Sequence, residues 1–228
     1  MLRVITDFDG PIMDVSERYY HVYQLCLEQI KHPEQKVNRL SKDDFWQLKR
    51  SRTPEKQIAL ISGLEAHQAQ EFAQLRRDTV HNLTYLAYDQ IQDDAIATLE
   101  TIRSYGANLL VMTMRKDKEL EFAFQKYPDL QGFFPPQSCY CLANDYIKIA
   151  DVKDKPLLMA RALRELPPTQ QTWMVGDTEA DIAAAKTHQI KSIAVLSGIR
   201  DRNQLESHAP DFIVNNITEA WQIIRQES

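Results

Sequence analysis

The run Leu-Arg-Val-Ile-Thr-Asp-Phe-Asp-Gly-Pro, residues 2–11, begins as a buried strand and stops abruptly at two acids and a glycine. Leu2, Val4 and Ile5 supply the apolar part, and Asp7 and Asp9 end it. Acids two apart on extended backbone point the same way, and like charges that close resist joint ionisation without a cation. A hard divalent ion with oxygen ligands, Mg²⁺ above all, relieves that repulsion. The carboxyl end of a strand in an open α/β sheet is also where ligands bind. On this stretch alone, the pair also fits a helix-capping turn.

After Asp14 the pattern turns helical. Residues 16–31 open on a capping-type Ser16 and carry apolar side chains at helical spacing from Tyr19 to Ile30. A second helix is predicted from Ser41, with Asp44 three residues on, to Arg50, and Pro54 suits the first position of a third. One further helix is expected over 65–88. From Asp93 the grammar alternates. Helices at 93–105, 117–126, 155–165, 179–187 and 217–226 separate apolar runs at 107–113, 138–142, 172–176, 192–196 and 212–214. Such alternation predicts an α/β fold, a Rossmann-like three-layer α/β/α core with a mostly parallel sheet. The expected division is a core of residues 1–14 and 89–228, with an all-helical cap, 15–88, inserted after the first strand. Inserts over the ligand-binding edge of a sheet act as lids.

Of the 228 residues, 43% are hydrophobic, enough for one substantial domain or a core carrying a smaller one. A net charge of −5 disfavours a general binder of nucleic acid or membrane surface. No window approaches ~18 uninterrupted apolar residues. An N-terminus that reaches acidic residues within seven positions does not suit a signal peptide. Cys26, Cys139 and Cys141 form neither a disulfide framework nor a zinc spacing and read as small buried hydrophobes. The expectation is a soluble cytoplasmic chain, a monomer or homodimer, with neither nucleic acid nor membrane as partner.

Three later segments repeat the device of the first strand. Thr113 ends Leu-Leu-Val-Met-Thr and offers a hydroxyl at a strand terminus. Gly176-Asp-Thr-Glu-Ala-Asp181 follows another apolar run and sets Asp177 and Asp181 four apart where a helix begins. Lys155, at the start of a helix, offers a cation, with Lys153 as a nearby competitor. A strand-end threonine or a helix-end lysine is usually structural on its own. The order Asp-x-Asp, Thr, Lys, Gly-Asp-x-x-x-Asp is harder to obtain by chance.

In that order the sequence resembles the haloacid dehalogenase superfamily of phosphohydrolases, and within it the phosphoglycolate-phosphatase-like group with a helical cap between the first and second motifs. The resemblance covers essentially the full chain. It is strongest at DFDGPIMD (7–14) and VGDTEADIAAAKTHQIKSIAVLSGIR (175–200) and weakest across the cap. It implies that Asp7 is the nucleophile and Asp9 the general acid/base. It further implies that Thr113 and Lys155 hold the phosphoryl group, and that Asp7, the backbone carbonyl of Asp9, and Asp177 bind Mg²⁺ with Asp181 in support. The chemistry is coherent: a carboxylate nucleophile divides hydrolysis into two easier steps through an aspartyl-phosphate, and the acid/base needs a carboxyl that can carry a proton. Two stretches depart from the family. Pro11 stands where Thr or Val is usual and removes an N–H from the turn. Residues 132–137, Gly-Phe-Phe-Pro-Pro-Gln, fit the third-strand region poorly.

Between Lys31 and Arg52 lie seven basic residues (Lys31, Lys36, Arg39, Lys42, Lys49, Arg50, Arg52) against three acids (Glu34, Asp43, Asp44). Arg50 and Arg52 flank a turn that could meet a substrate anion, although Lys49 and Arg50 would also complement a helix C-terminus. The function expected is Mg²⁺-dependent hydrolysis of a small phosphorylated metabolite, phosphoglycolate-like or a sugar phosphate. A phosphomutase of the same superfamily and a non-catalytic phosphate-binding module are the alternatives.

Overall fold

The computed structural model describes residues 1–228. Eight strands and twelve helices follow one another as β1 (Leu2–Thr6), β2 (Met13–Asp14), α1 (Ser16–Ile30), α2 (Lys42–Arg50), α3 (Glu55–Ile61), α4 (Ala66–Thr79), α5 (Leu83–Leu86), β3 (Gln90–Ile91), α6 (Ala95–Ser104), β4 (Asn108–Lys116), α7 (Asp117–Lys126) and α8 (Pro128–Gln131). The chain continues with β5 (Cys139–Leu142), α9 (Asp151–Glu165), β6 (Gln171–Gly176), α10 (Glu179–Thr187), β7 (Lys191–Val195), α11 (Arg202–Glu206), β8 (Phe212–Val214) and α12 (Ile217–Glu227). No helix is long and apolar enough to cross a membrane.

Six strands form one sheet in the order β5-β4-β1-β6-β7-β8, every neighbouring pair parallel. Alternation along each strand sends successive side chains to opposite faces. Val4, Val111 and Val175 accordingly pack under α6, α7 and α12 with Leu99, Phe124 and Trp221. Ile5, Met112 and Met174 pack on the other face against α9 and α10 with Met159 and Ala185. The result is the expected three-layer α/β architecture. β1 lies between β4 and β6, so the chain runs outward to one side of it and later crosses to the other. The carboxyl ends of those three strands therefore frame a crevice of the kind in which open α/β sheets bind ligands.

The helices between β2 and β3 bury an apolar cluster of their own, with Tyr23, Leu27, Phe45, Ile58 and Phe72 at its centre. The two chain crossings run side by side, because β2 and β3 pair antiparallel through Met13↔Ile91 and Asp14↔Gln90. Two-residue strands carry no hydrophobic period, and the sequence reading passed over them. The helix expected over 65–88 is two helices. Asn82 takes extended geometry (ψ 137°) and breaks it, leaving His81 in the turn. α9 begins at Asp151 rather than Lys155, because the Asp154 carboxylate accepts the N–H groups of Ile149 and Ala150 (2.8 and 2.9 Å). Lys155 thus lies in the second turn, fully buried.

Candidate active site

β1 ends at Thr6, and the next residue, Asp7, donates its N–H to Val175 O (2.8 Å), so the sheet ladder fixes its position. Its Oδ1 accepts the Phe8 N–H at 2.7 Å, and Lys155 Nζ lies 2.7 Å from Oδ2. β6 delivers Asp177, whose Oδ2 accepts the Ile199 N–H at 2.7 Å. One turn into α10, Asp181 accepts from Thr178 through both N–H (3.0 Å) and Oγ1 (2.6 Å), a capping box, and faces Lys155 Nζ at 2.5 Å. Thr113, from β4, is buried and lines the same cavity of about 140 Å³, with its hydroxyl accepting the Arg115 N–H. Lys153 is exposed, so Lys155 is the lysine that enters the cluster.

This packing needs glycine. At Gly10, φ is +92° and a Cβ would stand 2.4 Å from Asp177 Cγ. At Gly176 a Cβ would stand 2.1 Å from Asp181 Cγ. Pro11 takes nothing from the loop, whose bonds run from the flanking N–H groups: Gly10 to Met13 O and Ile12 to Phe8 O.

Asp7, Asp177 and Asp181 each offer an oxygen within 4.8 Å of the others, all buried. Burial pushes the Asp7 carboxyl well above the ordinary carboxylate range, Asp181 and Asp177 adding to the rise while Lys155 opposes it. Burial, then repulsion from Asp181, raises Asp177 to about 7. For Lys155, burial favours the neutral amine, but Asp181 and Asp7 outweigh it and keep the ammonium charged. Three acids against one lysine leave excess negative charge on hard oxygens. Asp177 uses only Oδ2 in hydrogen bonding, which leaves its other oxygen for a cation. That donor set fits Mg²⁺.

Asp9 stands apart from this cluster. Its Oδ1 accepts from Arg115 Nε (2.8 Å) and Nη2 (2.6 Å), and its Oδ2 from Arg18 Nη2 (2.9 Å). Asp89 closes the ring, pairing through Oδ2 with Arg115 and through Oδ1 with Arg18 Nε (3.0 Å). Burial would raise the Asp9 pKa, but Arg115 and Arg18 outweigh it and hold the carboxyl well below its usual range. A carboxyl able to carry a proton was expected at Asp9; this arrangement instead holds it as a carboxylate. The Asp9 side chain points to arginine, which leaves only its backbone carbonyl for a metal.

Arg50 and Arg52 do not line the cavity. Arg50 donates to the carbonyls of Leu196 (2.9 Å) and Arg200 (3.2 Å), tying α2 to the core. Arg52 faces Glu179 at 3.2 Å, a carboxylate that Arg200 also grips at 2.8 Å. The basic excess read between Lys31 and Arg52 is largely met by acids outside that window: Glu28 pairs Lys31 and Arg39, Glu17 pairs Lys42, and Glu55 pairs Lys49. The cavity also draws on Tyr19, His81, Arg115, Lys148 and Arg200, none singled out from sequence. Arg115 carried a signal, since two residues beyond Thr113 on one strand puts both side chains on one face.

Comparison with known proteins supports the fold. A family model described as HAD-hydrolase-like matches residues 152–220, which run from the second residue of α9 through β8 and into α12. A solved haloacid dehalogenase-like family hydrolase from Streptococcus pneumoniae superposes with a TM-score of 0.67, at 19% identity over 97% of each chain. The chain is thus similar to haloacid dehalogenase-like hydrolases, by sequence over its C-terminal third and by fold along nearly its whole length. A candidate phosphatase from Clostridium difficile has the same fold, with a TM-score of 0.74 at 21% identity over 98% of this chain and 97% of that one. Pyrophosphatase PpaX of Anoxybacillus flavithermus is 26% identical over 149 residues, 62% of this chain and 66% of the relative. The matches span between 56% and 66% of the length of the curated PpaX relatives.

Proposed function

We propose that this chain is a haloacid dehalogenase-like, Mg²⁺-dependent phosphoric monoester hydrolase, acting on a small phosphorylated metabolite of phosphoglycolate or sugar-phosphate type through an aspartyl-phosphate on Asp7. One observation carries the reading: Asp7 stands at the carboxyl end of the central strand, within 2.7 Å of a fully buried lysine and grouped with Asp177 and Asp181. The cavity of about 140 Å³ supports a small substrate. The PpaX similarity makes pyrophosphate a substrate to try.

In this reading Asp7 attacks phosphorus, and Thr113 and Lys155 hold the phosphoryl oxygens as charge moves onto them. Asp7, Asp177 and the Asp9 carbonyl would hold Mg²⁺, with Asp181 in support; when bound, it supplies positive charge that lets one anion approach another. Asp9, once released from its arginines, takes up a proton from solvent, passes it to the leaving oxygen, and as the resulting carboxylate later accepts a proton from the attacking water. Residues 15–88 act as a cap that keeps water from the cavity. The enzyme works in the cytoplasm, as a monomer or homodimer.

The test is hydrolysis of p-nitrophenyl phosphate, 2-phosphoglycolate, sugar phosphates and pyrophosphate with Mg²⁺, then after chelation. Turnover that chelation abolishes and Mg²⁺ restores supports the reading. Undiminished turnover in chelator, or no turnover of any substrate, overturns it.

A further inference from the structure

Arg18, Asp9, Arg115 and Asp89 form a closed, neutral ring from four separate places in the chain: the first turn of α1, the loop after β1, the end of β4 and the residue before β3. Three of the side chains are nearly or wholly out of solvent; only that of Asp9, at 25% exposed, reaches the cavity surface appreciably. The two arginines differ in placement. Arg18 is sealed behind the ring, whereas Arg115 lines the cavity, its guanidinium lying 5.0 Å over the Phe8 ring. Arg115 Nη1 is buried and has no hydrogen-bond partner. Other basic side chains around the cavity are occupied: Lys155 by Asp7 and Asp181, Arg200 by Glu179, Lys148 by Asp151, and the His81 ring lies against Glu119.

A general acid must come within hydrogen-bond reach of the leaving-group oxygen. Arg115 touches the Asp9 carboxylate, so it also borders the leaving group in any pose that Asp9 can serve. As the ring stands, both Asp9 oxygens are engaged and neither can turn to substrate. We infer that Arg115 is the specificity-determining residue of this site: a leaving group with its own carboxylate or phosphate takes over the Arg115 guanidinium and frees Asp9, whereas a neutral leaving group leaves Asp9 locked. The inference rests on the phosphatase reading above. Asp89 and Arg18 are positioning residues. Asp89 keeps Arg115 paired when it lets go of Asp9, and Arg18 anchors the ring to the first helix of the insert. The incoming anion takes the place of Asp9 Oδ1 on Arg115, so that guanidinium keeps an anionic partner throughout while Asp9 Oδ2 stays on Arg18.

The experiment compares kcat/KM, with Mg²⁺ present, for 2-phosphoglycolate, its neutral carboxamide and pyrophosphate. It uses the wild type, Arg115→Lys, and the double variant Arg115→Met/Asp89→Asn, which keeps the remaining Asp9–Arg18 pair neutral. The wild type should favour 2-phosphoglycolate over its amide by about 10–100-fold, the worth of a charged hydrogen bond. In the double variant that preference should vanish: the anionic substrate loses the guanidinium it binds, and the amide, no longer facing an Asp9 Oδ1 held by Arg115, gains rather than falls. Arg115→Lys should fall between the two. A loss confined to 2-phosphoglycolate or to pyrophosphate names the anion as carboxylate or phosphate, and either supports the inference. Equal wild-type turnover of acid and amide, or an equal fall on all three substrates, overturns it and leaves the phosphatase reading standing. No turnover of these or of p-nitrophenyl phosphate overturns both.

Discussion

Lys155 Nζ lies 2.7 Å from Asp7 Oδ2, joining the second turn of α9 to the end of the central strand across 148 residues of chain. Both groups are buried, and the same nitrogen faces Asp181 at 2.5 Å. Removing one partner of a buried pair costs about 3–5 kcal/mol, because the other charge stays behind. Lys155→Met should therefore lower Tm by about 6–20 °C in a chain of this size. It leaves three acids without a cation, so Mg²⁺ should restore more Tm to the variant than to the wild type. Calorimetric melts with and without Mg²⁺ make the comparison. An unchanged Tm would mean that the pair does not contribute to folding.

Asp177 gives the site a pH signature. Its carboxyl ionises near pH 7 in the folded protein and near 3.8 when the chain is unfolded. Between those values the folded state holds more protons, so stability falls as pH rises from about 4 to 7 and then levels, a loss on the order of 4 kcal/mol. Asp9 runs the other way. Its pKa is depressed, so its contribution is complete above the ordinary carboxylate range and lost only on acidification below it. In chelator, the wild-type Tm should therefore fall from pH 5 to pH 8 relative to Asp177→Asn, and Mg²⁺ should flatten that fall. Parallel Tm profiles for the two proteins would show that Asp177 is not the titrating group.

Most of the core was legible because long periodic segments overdetermine it. The helix over 117–126 and the strand at 212–214 need only their own apolar spacing, and both stand where the sequence placed them. The acids of the site were legible for a related reason: Asp7, Asp177 and Asp181 sit next to apolar runs, where an acid is costly without a partner. The Asp9 ring was not. Its members lie 9 to 106 residues apart, and no local pattern announces that Arg18 and Arg115 meet one carboxylate. The basic residues before Arg52 form a surplus only when charge is counted along the chain; through space Glu17, Glu28 and Glu55 pair with four of them.

Arg50 and Arg52 now separate cleanly. Arg50 holds two core carbonyls from α2, so Arg50→Ala should loosen the insert against the core and alter kcat and KM together on every substrate. Arg52 is about half exposed and faces a carboxylate that Arg200 already satisfies, so Arg52→Ala should cost less than about 1 kcal/mol and leave kinetics nearly unchanged. Steady-state kinetics on two substrates of different size, with Tm alongside, test this. A KM rise on anionic substrates alone for Arg52→Ala would restore the substrate role that its sequence position suggested.

The two acids of the first strand should fail in different ways. Asp7→Asn removes the nucleophile, so no phosphoenzyme can form and activity should fall to background. Asp9→Asn keeps the nucleophile and the backbone carbonyl. Beyond its chemistry, it leaves Arg18 and Arg115 with only Asp89 as a charged partner, so its Tm should also fall and must be measured first. In the folded fraction it lacks proton transfer, which is typically worth ~10²–10⁴-fold in rate. With p-nitrophenyl phosphate the leaving group barely needs a proton, so phosphorylation of Asp7 should suffer least. Hydrolysis of the aspartyl-phosphate still needs an activated water, so the intermediate should accumulate. Intact-protein mass after rapid mixing and acid quench reads this directly: a phosphate adduct is expected on Asp9→Asn and none on Asp7→Asn. An equal adduct on both would place the nucleophile elsewhere, and Asp7 would then be a metal ligand only.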